Sequence, residues 1–476
     1  MKIPLSAVQI ASMLYIEVPI IIFFFGWIRP EVSFPLLVLI AIQLIFYILN
    51  TIKNITYTII TIPNLIAILI VCGLWVLLSG AGHRGIHAGD FAKHNAILND
   101  LIRLPWPVTY NVNGSEQVMM LVYYVAYYLP AALLGKFFGW VGANVFLYFW
   151  TYIGISLIAF WFIHFFKQKA FFALILFILL SGLDGLGRIL LLHKTGVNPD
   201  WEWWAGEWQY SSITTLLFYV PQHALGAWVV VSYLFSKKNE VMTMFASLLL
   251  WSPFVWFGTL PFVIYQTMKK NVKLTWIDTT TATFIALICG AYVFSSSFAE
   301  VGQGVGGQWL WQRLPLFKSL TLVRLVFFYL FEFGICFGII MSVRHFFRQN
   351  TSLLWIAVLV LTCIPWYRVG LLNDFAMRTS IPALYVVALY FISAFVFSTK
   401  IVRNRFIVYT VIGMFYPLLL MYNGAQHIRN IPPQYTLSEL DTPEVRIQYL
   451  GKLNTSFYKI FAKNQQDVRG VIKLEK

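Results

Sequence analysis

Charge is what this sequence has little of. Only 11% of its 476 residues are Asp, Glu, Lys or Arg, less than half the ~25% of a typical soluble domain, and that excludes an ordinary cytosolic globule. Acidic residues are the scarcer sign, 19 against 34 Lys and Arg. Cysteine is nearly missing: Cys72, Cys289, Cys336 and Cys363 lie in or beside apolar runs. None has the spacing of a zinc or redox motif, so they read as small buried hydrophobes. No Gly-rich nucleotide loop and no soluble catalytic domain interrupts the chain, which disfavours a cytoplasmic nucleotide-sugar enzyme. No repeat period and no inverted hydropathy halves are evident. The first apolar run lacks a small-residue cleavage site after it and reads as an uncleaved first helix.

What is present is oil. The chain is 59% hydrophobic, with 42 Phe, 25 Tyr and 18 Trp, and apolar stretches near the ~20 residues needed to cross a bilayer recur throughout. The class is therefore an all-α polytopic membrane protein. The net charge of +15 is not gathered in one basic domain, so nucleic acid is not the partner. Many Lys and Arg sit in short connections between apolar runs, the pattern that sets orientation in a membrane.

Taking basic connections as cytoplasmic gives about 13 transmembrane helices, starting inside and ending outside. Residues 1–56 form an N-terminal hairpin, with spans over 7–27 and 34–50 and a short turn over 28–33. A core follows over 57–422, and 423–476 are a small outer tail of short helices. Outer loops fall at 80–142, 192–212, 295–318 and 366–380. The large first loop carries a second apolar stretch, 117–138, broken by Pro130. Laid along the outer surface, or re-entrant, it leaves Lys167 and Lys169 inside; as a span it would put them outside, so the surface reading is preferred. Residues 241–268, with Pro253 and Pro261, must return to the side they left and read as a hairpin of two short helices. The location is the cytoplasmic (inner) membrane.

One stretch concentrates the ionisable groups. Residues 82–110, GHRGIHAGDFAKHNAILNDLIRLPWPVTY, follow directly on the apolar run 57–79 and gather His83, Arg84, His87, Asp90, Lys93, His94, Asp100 and Arg103. Such a cluster at the mouth of an apolar bundle is the first place to look for chemistry. Asp90, Lys93 and His94 fall on one helical face. There a carboxylate can act as general base toward an acceptor hydroxyl, and Lys93 and His94 can bind a phosphate. The plainer role for Asp90 is to cap a helix beginning at Phe91 and pair with Lys93. Asp100 reads first as the partner of Arg103 and second as a substrate ligand. His83 and His87 have the i, i+4 spacing of metal ligands, which makes a divalent cation a candidate cofactor. Arg84 stands, however, where the metalloprotease motif has its glutamate.

Further groups lie at or near the outer boundary. Asp184 and Arg188 occur in GLDGLGR (182–188), whose glycines either admit a ligand to the backbone or kink a helix held by an Asp–Arg pair. The next loop holds Glu202 among Trp201, Trp203, Trp204 and Trp208, indoles that suit sugar rings or an interfacial belt. Gln222 and His223 follow Pro221 within an apolar run and need partners there. Asp374 and Arg378 form either a lipid-phosphate clamp or an ion pair. Glu17 and Glu332 lie inside apolar helices, where interhelical hydrogen bonds are expected.

With its many helices and an acidic residue shortly after a membrane exit, the chain resembles the GT-C superfamily of membrane glycosyltransferases. Those proteins also carry surface-lying helices in a large first outer loop, as 117–138 would do here. The resemblance spans about residues 57–422. It implies transfer of a sugar from a polyprenyl-phosphate carrier to a glycan, lipid or protein acceptor on the extracytoplasmic face. It makes Asp90 the catalytic base, with Lys93, His94, Arg188 or Arg378 serving the carrier phosphate. The acidic loop follows the first span in that family, whereas here two extra spans precede it. The rival readings are a flippase or transporter of lipid-linked glycans and a glycan ligase or polymerase.

Overall fold

The structure, a computed structural model, describes residues 1–53, 55–83, 90–112, 118–191, 201–236, 240–296, 307–313, 319–344, 351–370, 373–428, 434–437, 449–463 and 470–472. Of these, the side chains of 83, 90, 112, 191, 313, 319–320, 400–402 and 470–472 lie outside the described set.

The protein is a helical membrane protein. Among the described residues six helical segments are long and apolar enough to cross a bilayer, or seven if the bent pair Arg403–Gly413 and Phe415–Gln426 is one span. Shorter apolar helices, Ile62–Leu78 and Met242–Trp251 among them, complete the bundle. The outside of the bundle is apolar too. Along α2 (Pro30–Thr51) the exposed side chains include Phe34, Val38, Ile42, Ile45 and Leu49. These recur every three or four residues, one helical stripe that water would reject and lipid accepts.

The connection between α1 (Leu5–Trp27) and α2 is shorter than the sequence predicts. Pro30 stands at the start of α2, where its missing N–H removes no helical bond, so the helix begins before the expected 34. At the other end β1 (Lys2–Pro4) pairs antiparallel with β2 (Tyr57–Ile59), which leads into α3 (Ile62–Leu78).

Hydrogen bonds between distant segments fix which ends share a side, because no such bond can reach across ~30 Å of hydrocarbon. The turn after α5 (Leu129–Phe166) touches β2 through Thr58–His164 (3.2 Å) and through Gln168 donating to the Ile59 carbonyl (3.0 Å). Lys169 donates to the Val396 carbonyl at 2.9 Å, bringing the end of a later helix to that same face. The opposite face is fastened by a four-stranded sheet in the order β7 (Leu450–Lys452), β4 (Val118–Leu121), β3 (Thr109–Val112), β8 (Gly470–Ile472). Arg29, between α1 and α2, donates to the Ala462 carbonyl there at 2.8 Å.

That sheet corrects two expectations. The tail is predicted as an appendage of short helices, but its described parts add strands to the first large loop, with a single short helix, Ser456–Ile460. The stretch 117–138 is predicted as one surface or re-entrant helix. It is instead β4, a short 3-10 turn (Val125–Tyr127) and the first part of α5, which breaks at Gly139 (φ 70°). From there α5 runs to the β2 face. The sequence misses the strands because β4 reads as apolar as its neighbours, and besides its local partner β3 it takes one, β7, more than 300 residues away.

The predicted hairpin over 241–268 is present as α10 (Met242–Trp251) and α11 (Pro253–Met268), broken at Ser252. Its two ends lie at one face: Thr243 N–H donates to Asp278 at 3.0 Å, and Gln266 donates to the Leu234 carbonyl at 2.9 Å.

Candidate functional site

The break between α10 and α11 has a counterpart in α8 (Ile213–Tyr219) and α9 (Pro221–Phe235), which part at Val220. In both cases a proline begins the second helix, so the chain stops and restarts within the apolar run. The restarted helix ends meet at His223 and Ser252, whose Nδ1 and Oγ are 2.6 Å apart. Ser252 Oγ also accepts the Val255 N–H at 3.2 Å, capping α11.

Two further elements reach this point. From α4 (Asp90–Arg103), His94 packs beneath, and from α17 (Asp374–Thr379) Arg378 extends to His223, with Nη1 and Nε2 3.4 Å apart. A guanidinium only donates, so His223 accepts at Nε2 and carries its proton on Nδ1, facing Ser252. His94 is held at both nitrogens, by the Tyr128 hydroxyl and by the Tyr219 carbonyl at 3.1 Å. A carbonyl only accepts, so the His94 proton is on Nε2 and Tyr128 donates to Nδ1. That ring is a peg between the first large loop and the α8–α9 break.

Arg378 Nε donates to Asp374 at 3.0 Å, the pair the sequence allows. The pair is mostly buried, and Arg378 acts electrostatically on both Tyr124 and His223 while Lys93 acts on His223 and Tyr449. Tyr124 stands edge-on to the His223 ring at 5.0 Å. Burial pushes the Tyr124 hydroxyl well up, with Arg378 pulling it the other way, and burial raises Tyr449 too; both remain neutral donors. Lys93, His94, His223, Asp374 and Arg378, proposed from separate stretches of sequence, therefore lie in one neighbourhood. Asp90 opens α4 one turn before Lys93 and His94. Its side chain, like those of His83 and His87, lies outside the described residues. Among the described residues no group of three His, Cys, Asp or Glu side chains is placed to hold a metal.

The other candidates do different things. Asp100 accepts from the Tyr110 hydroxyl (2.8 Å) and the Leu437 N–H (2.9 Å), tying α4 to the sheet and tail, where Arg103 was the expected partner. Glu202 is buried. One of its oxygens takes the Ser212 N–H at 2.9 Å and the Thr215 hydroxyl at 2.6 Å, and the other takes Gln209 at 3.1 Å, so it braces the start of α8. Arg188 lies over the Trp201 ring at 4.5 Å. Trp208 is buried and donates to the Pro365 carbonyl at 3.0 Å.

Asp184 bonds other partners than Arg188. Trp204 Nε1 donates to Asp184 and to Glu332, 3.1 Å each, Ser181 donates to Asp184 at 2.9 Å, and the two carboxyls bond each other. Glu332 sits in a π-helical turn, Leu330–Gly334, whose extra residue aims it inward. Two of the three glycines of GLDGLGR allow this contact: a Cβ on Gly182 would fall 2.5 Å from Glu332 Oε2, and one on Gly187 2.5 Å from the Trp204 ring. Two carboxyls share a hydrogen bond only if one is protonated. Glu332→Gln, which keeps a donor toward Asp184, should therefore leave thermal stability within about 1 kcal/mol. Glu332→Ala should cost about 3–5 kcal/mol by stranding its partner. Equal melting curves for the two variants would dismiss the shared proton. Glu17 departs from expectation, since both its oxygens are buried without a hydrogen-bond partner.

No family model, curated protein or solved structure matches this chain.

Proposed function

We propose that the protein is a membrane glycosyltransferase that moves a sugar from a polyprenyl-phosphate-linked donor to an acceptor. The site faces outside the cytoplasmic membrane, and the chain crosses it thirteen times. The observation that carries the reading is the meeting of Arg378, His223 and Lys93 at the restarted ends of α9 and α11. Helix N-termini and cationic side chains together favour an anion. Asp90, at the start of α4, takes the proton from the acceptor hydroxyl, whose oxygen attacks the anomeric carbon as the phosphate oxygen leaves with the bonding pair. Inversion results, and Arg378 and Lys93 offset the charge that builds on the departing phosphate.

The broken helices also fit a lipid-linked glycan flippase, because transporters use half-helix ends to hold anions. One assay separates the readings. The full chain in proteoliposomes, supplied with polyprenyl-phosphate sugar and soluble acceptors, should form a new glycosidic product. Movement of the carrier across the bilayer with no product would reject the transferase and favour the flippase. Orientation is read by placing a cysteine at Ser115 and adding an impermeant thiol reagent to intact cells. Labelling only after lysis would invert the assignment.

A further inference from the structure

At the start of α17 lies a shallow, solvent-open depression lined by Glu207, Trp208, Gln308, Trp309, Arg368 and Asn373, of which only Trp208 is among the sequence candidates. Its floor is a two-residue ladder in which β5 (Gln308–Trp309) pairs antiparallel with β6 (Tyr367–Arg368). Trp309 is 44% exposed and stacks on Trp311 with centroids 4.6 Å apart, while Tyr367 buttresses it edge-on at 5.0 Å. Facing this aromatic plate, Arg368 pairs with the Glu207 carboxylate and donates to the Gly370 carbonyl at 3.2 Å. Asn373 ties the Glu207 backbone carbonyl to the start of α17 with a 2.8 Å bond.

We infer that this pocket binds a neutral pyranose unit of a glycan acceptor. A pyranose has an apolar C–H face and a rim of hydroxyls that both donate and accept. The pocket offers a rigid indole plate to the first, and a carboxylate, a guanidinium and the Gln308 amide to the second. Because Glu207 and Arg368 neutralise each other, the pocket has no net pull on a phosphate or a uronate. Asn373 and Asp374 are consecutive, so a sugar here sits one residue along the chain from the Asp374–Arg378 pair. The assignment as an acceptor subsite rests on the glycosyltransferase reading; the sugar site itself does not.

The test is binding without donor. The purified full chain is titrated with neutral oligosaccharides of glucose, galactose, mannose and rhamnose, with oligogalacturonate as the anionic control, following Trp emission and heat. At least one neutral series should bind, the uronate should not, and Trp309→Ala and Gln308→Leu should each weaken binding by about tenfold or more. Both sites are at the surface, and unchanged melting curves would certify the fold. Asp90→Asn, which is to lose transfer, should bind the sugar as the natural chain does. The inference is overturned if no neutral series binds, or if binding survives both pocket changes. It is overturned equally if Trp309 responds to lipid vesicles and to no sugar, the behaviour of an interfacial belt. Such failures leave the transfer assay standing on its own.

Discussion

If Asp90 is the general base of the proposed transfer, Asp90→Asn is expected to lower sugar transfer by about 10²–10⁴-fold, with the apparent affinity for donor little changed. The reason lies in how α4 is fixed. The helix begins at Asp90, and four residues later His94 is pegged at both ring nitrogens, to Tyr128 and to the Tyr219 carbonyl. A helix held so tightly one turn in cannot rotate freely about its axis. By helical spacing positions 90, 93 and 94 share a face, and Lys93 acts electrostatically on His223 and Tyr449. Asn has the shape of Asp and caps a helix as well. A variant that merely lost a cap would thus be rescued, and one that lost a base would not. Single-turnover transfer in proteoliposomes decides: activity within threefold of the natural chain would take Asp90 out of the reaction.

Arg378→Ala is expected to cost about 10²–10³-fold in transfer, the scale for losing one fixed charge aimed at a developing anion. Its guanidinium is bonded to Asp374 and reaches the His223 ring, so a purely structural role must be separated from an electrostatic one. Asp374→Asn does so, since it dissolves the ion pair and leaves the cation in place. If Arg378 serves the phosphate, Asp374→Asn should lose less than about tenfold, and Arg378→Lys should recover part of the loss as a point charge without the planar fork. Equal defects in Asp374→Asn and Arg378→Ala would reduce the arginine to an architectural part. Both comparisons require unchanged melting curves.

Several alternatives open at the level of sequence were decided by partners outside the helical spacing that the sequence offers. Asp100 had Arg103 within reach on its own helix, yet its described bonds go to Tyr110 and to Leu437 in the tail. Glu202 stands in a loop of tryptophans that suits sugars, but its carboxylate is spent on Ser212, Thr215 and Gln209. Glu332 looked isolated within its helix until the π-helical turn brought it to Asp184 and Trp204. The Trp309 pocket is not legible in the sequence because two of its residues come from 207–208, three from 308–310 and three from 365–373, and no local spacing signals that meeting.

The sequence by itself determined the solvent this protein lives in, the helical class, the hairpin at Ser252 and the stretches that hold reactive groups. Those follow from composition and from periodicity within single segments, where each residue's neighbours are already known. Only the tertiary structure decided which polar groups meet. It brought Lys93, His94, His223 and Arg378 to one rim, drew Asp184 and Glu332 into a pair, and joined the tail to the first loop as a sheet. A buried polar group must find a partner, and the chain does not say in advance from which of many apolar helices that partner will come.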